Sequence, residues 1–126
     1  MKYSIVIPCY NEEKNLPDLI DSLKSFPEKY NVQFILVENG SADGSRNYMK
    51  SIEDQVMPKI QFVWVDQNQG YGYGIQQGLK VAEGDYVGWI HADMQMNPHD
   101  LTKFFDYLES YGKEEKLFLK GYRRNR

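Results

Sequence analysis

The sequence predicts an α/β fold, a three-layer α/β/α sandwich with a mainly parallel sheet, and three observations predict it. Apolar runs of strand length at 3–7, 34–37, 60–65 and 85–90 alternate with segments whose apolar residues recur at helical spacing. Runs that are apolar throughout suit strands covered on both faces, as crossover helices provide. A polar or glycine-rich stretch follows each run, and in open parallel sheets ligands sit outside the carboxyl ends of the strands.

The chain has 126 residues, 41% hydrophobic and 14% aromatic, which suits one domain spanning 1–126. A chain of this size buries roughly two thirds of its unfolded surface. A net charge of −3 offers no field for nucleic acid, and the basic end Arg123-Arg124-Asn125-Arg126 reads as a solvated tail. Cys9 stands alone in an apolar run, which excludes a disulfide framework and a cysteine zinc site and points to a buried thiol. No apolar run approaches a membrane span, and the first residues are too short for a signal core, so a cytoplasmic location is expected.

The first strand, 3–7, is expected to stop at Pro8, which donates nothing to a ladder. Leu16, Leu19, Ile20 and Leu23 mark a helix within 13–25, with Pro17 in its first turn. The second strand, 34–37, leads into Glu38-Asn39-Gly40-Ser41-Ala42-Asp43-Gly44-Ser45, a strand-to-helix turn with Asp43 as cap of a helix over 46–52. The third strand is 60–65, and a helix over 71–82 follows the loop Asp66-Gln67-Asn68-Gln69-Gly70. A fourth strand at 85–90 has Tyr86 and Trp89 as core residues and Asp85 tethering its start. A fourth helix spans 100–111, with His99 at its start, and 117–119 reads as a short fifth strand.

The fourth strand ends in His91-Ala92-Asp93-Met94-Gln95. If the chain stays extended, His91, Asp93 and Gln95 point to one side. An imidazole, a carboxylate and an amide oxygen there suit a divalent cation with positions open to water or phosphate. The other reading of this triplet is a polar strand end that satisfies its own turn. Gly70, Gly72, Gly74 and Gly78 are too late in the chain for a dinucleotide fingerprint, because the first strand-to-helix turn has no glycine. They suit close approach of backbone to a ligand or to a neighbouring element.

In order, the chain carries Ser4-Ile5-Val6-Ile7-Pro8-Cys9-Tyr10-Asn11-Glu12-Glu13, Val37 to Ser45, Asn68-Gln69-Gly70 through Gly78, Ala82-Glu83-Gly84-Asp85-Tyr86, and His91 to Gln95. This series resembles the family 2 glycosyltransferases of GT-A fold, and within them the polyprenyl-phosphate sugar transferases.

The resemblance implies a site for a UDP- or GDP-linked sugar, with Mn2+ or Mg2+ as cofactor. Pro8 and Tyr10 would form the wall against the nucleobase, and Glu12 would reach the ribose or ring edge. Glu38 and Asn39 stand where the family reads the base, Asn39 replacing an Asp. Asn68 and Gly70 belong to the flexible donor segment, where Tyr71 replaces a residue that is often basic. Asp93 matches the second Asp of the family's Asp-any-Asp metal motif and Gln95 a Gln that completes the shell. His91, in place of the first Asp, would ligate the metal or bond a ribose hydroxyl, and Ala92 lies between them.

The resemblance also implies an inverting enzyme whose general base lies in a C-terminal half that is absent here, with Asp100 and Asp106 as solvated charges. Two readings follow. The chain is the donor-binding part of a longer transferase acting on a lipid phosphate or polysaccharide of the cell envelope, membrane-associated in that longer form. Alternatively, it is a short protein that binds a sugar nucleotide, or oligomerises, without catalysis. Either leaves apolar surface uncovered, so self-association is expected.

Overall fold

The computed structural model describes residues 1–111 and contains β1 (Lys2–Cys9), α1 (Leu16–Lys24), β2 (Asn31–Asn39), α2 (Ser45–Val56), β3 (Ile60–Val65), α3 (Tyr71–Leu79), β4 (Tyr86–Trp89) and α4 (Leu101–Tyr111). A 3-10 turn, Pro98–Asp100, precedes α4. The strands form one parallel sheet in the order β3-β2-β1-β4. The expected fifth strand at 117–119 lies outside the described residues.

Helices cover both faces of this sheet. On one face Leu16, Leu19 and Leu23 of α1, Met49 and Val56 of α2, and Phe105 and Leu108 of α4 pack with Ile5, Ile7, Phe34 and Leu36. On the other, Val6, Ile35, Val37 and Val65 meet Tyr73, Leu79, Val81 and Ala82 in and after α3. Gly78 lets α3 approach, since a Cβ there would lie 2.4 Å from Val6 Cγ1. Tyr3 stacks on Phe105 at 4.0 Å and its hydroxyl donates to Phe105 O and Glu109 Oε1, which fixes α4 across β1.

Several boundaries differ from expectation for physical reasons. Pro8 does not end β1, which continues to Cys9 with Pro8 beside Val37. Val6 O receives Ile90 N–H on the β4 side, and alternate residues address the same neighbour, so Pro8's missing N–H falls just past the end of β4. The first helix begins at Leu16 with Pro17 in its first turn, as expected, after a turn that Glu12 O closes with the N–H groups of Asn15 and Leu16. The second runs on to Val56, where Met57 turns extended.

Two residues expected in the core are not both there. Tyr86 packs against the core while Trp89 is 49% exposed. Its alternate neighbour Val87 is 55% exposed, because α3 spans β1, β2 and β3 and leaves β4 uncovered on that face. Asp85 does tether its strand, accepting the Lys2 N–H at 2.9 Å. Asp106, expected as a solvated charge, accepts the Tyr30 hydroxyl. His99 also does more than begin a helix: its Nε2 lies 2.9 Å from Ser22 O and 3.2 Å from Ser25 Oγ, tying the 3-10 turn to α1.

Candidate functional site

The carboxyl ends of the strands present four loops, and side-chain hydrogen bonds lace each to its neighbour. Asn11, held at φ 54, donates its N–H to Ser41 Oγ and receives the Ala42 N–H on its Oδ1 at 2.8 Å. Asn tolerates this left-handed conformation better than most residues. Glu12 N–H reaches Ser45 Oγ, Glu13 N–H reaches Asp43 Oδ2, and Gly44 N–H reaches Glu13 Oε1. The loop after β1 is thereby fastened to the loop after β2. Asp43 also receives the Ser45 N–H, so its carboxyl is held below the usual range by these bonds, against the opposing effect of burial.

The second loop is fastened to the third through Asn39 and Asn68. Asn39 Nδ2 donates to Gly70 O at 3.2 Å, Asn68 Nδ2 donates to Asn39 O at 2.9 Å, and Asn68 Oδ1 receives the Gly70 N–H. Asn39 is 1% exposed, and its buried Oδ1 has no hydrogen-bond partner among the described residues. Gly74 makes room for this amide, since a Cβ there would lie 2.7 Å from Asn39 Nδ2. The third loop meets the fourth at Tyr71 and His91, whose rings stack at 5.2 Å with an 18° tilt. Tyr71 Oη lies 3.1 Å from His91 Nδ1. Burial, then the charge of Asp93, hold the Tyr71 phenol above its ordinary value.

The expected site residues divide into two groups. Glu38 is fully buried, its Oε1 accepting from Ser41 N–H and its Oε2 from Arg46 Nε at 2.8 Å. Glu12 accepts from Asn15 Nδ2 at 2.8 Å, and Pro8 and Ala92 are buried. Tyr10, Asn68, Gly70, His91 and Gln95 are exposed, and Asp93 is half-buried. Asp93 Oδ1 receives the Gln95 N–H at 3.1 Å, while its Oδ2 has no hydrogen bond to the described residues. The chain does not stay extended past Ile90, as expected, but bends from Ala92 to Met96 with Met94 at φ 61. Alternation therefore does not set the directions of His91, Asp93 and Gln95.

Among the described residues, no group of three or more His, Cys, Asp or Glu side chains could hold a metal ion. Of the expected metal set His91, Asp93 and Gln95, the half-buried Asp93 supplies the one carboxylate. Magnesium-like ions use one or two carboxylates and complete their shell with substrate phosphates and water. Sequence reasoning missed Asn11, Arg46 and Ser45, whose partners lie on other loops, and gave Tyr71 only the loss of a basic residue.

The fold and these loops define an α/β domain of the open parallel type, a class in which ligands bind outside the carboxyl ends of the strands. The model of glycosyl transferase family 2 matches residues 4–114, and the chain belongs to that family. It is 32% identical, over 106 residues, to the undecaprenyl-phosphate 4-deoxy-4-formamido-L-arabinose transferase of Proteus mirabilis, covering 81% of this chain and 32% of the relative. The chain thus spans about a third of the length of that relative.

Two solved structures share the fold. S. aureus TarS 1-349, crystallised with UDP-GlcNAc, aligns with a TM-score of 0.71 and 24% identity over 89% of this chain and 32% of its own. Glucosyl-3-phosphoglycerate synthase from Mycobacterium tuberculosis, crystallised with Mn2+, UDP and glucosyl-3-phosphoglycerate, aligns with a TM-score of 0.61 and 25% identity over 86% and 38%. No helix among the described residues is long and apolar enough to cross a membrane.

Proposed function

We propose that this chain is the donor-binding part of a glycosyltransferase that moves a sugar from a nucleotide diphosphate to a lipid-phosphate acceptor. The observation that carries the reading is Asp93. It lies in the bend that follows β4, with Oδ1 fixed by Gln95 N–H and Oδ2 without a hydrogen bond to the described residues. A carboxylate facing a diphosphate needs a counter-charge, since two like unit charges about 4 Å apart repel by roughly 4 kcal/mol at an effective dielectric near 20. Asp93 would hold Mn2+ or Mg2+, with Gln95 as a second oxygen donor, and the ion when bound offsets charge developing on the departing diphosphate.

Tyr10, 48% exposed at the end of β1, is the wall for the base, with Pro8 supporting it from within the strand. Asn39 Oδ1 is an acceptor for a base N–H once the Gly70 segment yields. Gly70 and Asn68 shape that segment, while Glu38 and Glu12 brace the loops and Ala92 fixes the fourth loop against the core. The relative from Proteus mirabilis, by its name an undecaprenyl-phosphate transferase, supports the lipid-phosphate acceptor and a membrane-associated, envelope-building role for the longer form. The acceptor's general base would come from outside the described residues.

Calorimetric titration with UDP and then GDP, each with and without Mn2+, tests the reading on the chain and on Asp93→Ala. Metal-dependent binding that Asp93→Ala abolishes is the expected result. Binding of either nucleotide that ignores both metal and Asp93 would overturn the assignment.

A further inference from the structure

The bend that carries Asp93 turns on a residue ill suited to it. Two non-glycine residues among those described hold positive φ, Asn11 at 54 and Met94 at 61. Asn11 suits that conformation, because a short amide can bond locally, and its Oδ1 receives the Ala42 N–H. Met94 has neither the amide of asparagine nor the missing Cβ of glycine, and in the left-handed region its Cβ crowds the following carbonyl. Local preference therefore opposes this turn, and the surrounding structure must impose it.

The core supplies what imposes it. Ala92 is buried, and Met94 and Met96 pack partly buried against the cluster that contains Ile5, Ile7, Leu101 and Phe105. Every second residue of the bend is thus anchored, with Asp93 and Gln95 between the anchors. The bond from Gln95 N–H to Asp93 Oδ1, at 3.1 Å, spans Met94. Release of the Met94 side chain would let φ return to negative values and turn the Gln95 N–H away from the carboxylate. Asparagine or glycine at this place would permit the turn without anchoring it, whereas a flexible thioether fills the gap beneath it.

We propose that Met94 is a positioning residue whose side chain, seated in the core, holds the left-handed turn and thereby sets the direction of the Asp93 carboxylate. What that carboxylate serves rests on the donor-site reading above.

Amide hydrogen exchange at Gln95, read by NMR on the ligand-free chain, tests it in Met94→Leu and Met94→Ala. Leucine keeps the apolar volume, while alanine keeps the Cβ that disfavours positive φ and loses the anchor. The expected result is a Gln95 exchange rate unchanged in Met94→Leu and about fivefold faster in Met94→Ala, the worth of roughly one hydrogen bond. A loss of stability alone would leave this amide as in the wild type wherever the chain stays folded, as the preserved spectrum of β1 and β2 verifies. The Mn2+-dependent affinity for UDP should fall about as much in Met94→Ala and be retained in Met94→Leu. Gln95 exchange unaltered in Met94→Ala, or raised equally in Met94→Leu, would overturn the proposal. If the wild type binds no UDP in the presence of Mn2+, the donor-site reading fails, while Gln95 exchange still decides whether Met94 holds the turn.

Discussion

Arg46 and Glu38 form an ion pair, Nε to Oε2 at 2.8 Å, in which the carboxylate is fully buried and the guanidinium is partly exposed. The same guanidinium donates to Val65 O and Asp66 Oδ1 and lies 5.7 Å from the centre of the Trp64 ring. One side chain from the first turn of α2 therefore joins the ends of β2 and β3. Hydrogen bonds and the charges of Glu38 and Asp66 raise its pKa above the ordinary value, so it stays cationic at every accessible pH.

Removing that cation strands a buried carboxylate. Arg46→Met should destabilise the fold by about 3 kcal/mol, the range for breaking one partner of a buried pair. Urea denaturation measures it, and Arg46→Lys should recover only part, because an ammonium lacks the fork that serves three acceptors.

Gly78→Ala should cost about 1–3 kcal/mol, because the added methyl would sit 2.4 Å from Val6 Cγ1 in a packed interface. Val6→Ala removes the colliding methyl, so the double variant should be less unstable than the two single effects added. Simple additivity in a double-mutant cycle would refute the contact.

Stability should fall in alkali. Burial, then the hydrogen bond with Glu109, raise the Tyr3 phenol above 10.0, and burial raises the Cys9 thiol above 9.0. The unfolded chain releases these protons where the folded chain keeps them, so the stability they confer is complete below about pH 9 and is lost as pH rises. Urea midpoints should hold up to about pH 9 and decline above it, with Cys9→Ala softening the start of the decline.

Cys9 should be inert to thiol reagents in the native chain, being fully buried at the end of β1. Its labelling by a disulfide reagent should follow unfolding as urea rises. Rapid labelling without urea would place the thiol at the surface.

Val87 and Trp89, exposed on the face of β4 that α3 does not reach, should pack against the same face of a second copy. Sedimentation velocity should show a concentration-dependent dimer that Trp89→Lys disfavours. A single monomeric boundary at high concentration would refute it.

Periodicity located the elements but not their cover. The run at 60–65 matched β3 because turn residues bound it on both sides, whereas Pro8 misled because its effect depends on which neighbour its edge faces. Trp89 reads as core in any strand pattern. That α3 stops short of β4 is a property of the crossover, which no local window contains. The motifs marked loops that the fold brings to one end of the sheet, and Asp93 lies in the bend that follows β4. The resemblance places Glu38 and Glu12 at the donor, while in the folded chain Glu38 is paired with Arg46 and Glu12 accepts from Asn15, partners that the motifs do not announce. The left-handed turn at Met94 broke the alternation that grouped His91 with Gln95.

Trp64 and Trp89 occupy the two outer strands of the described sheet, β3 and β4. Trp64 lies beneath two cations, Arg46 Cζ at 5.7 Å and Lys50 Nζ at 5.8 Å, while Trp89 faces water. Their emission should differ accordingly, with a soluble quencher reaching Trp89 first. Whatever covers the β4 edge shifts one indole to the blue and spares the other, so fluorescence alone reports separately on the two edges of the sheet.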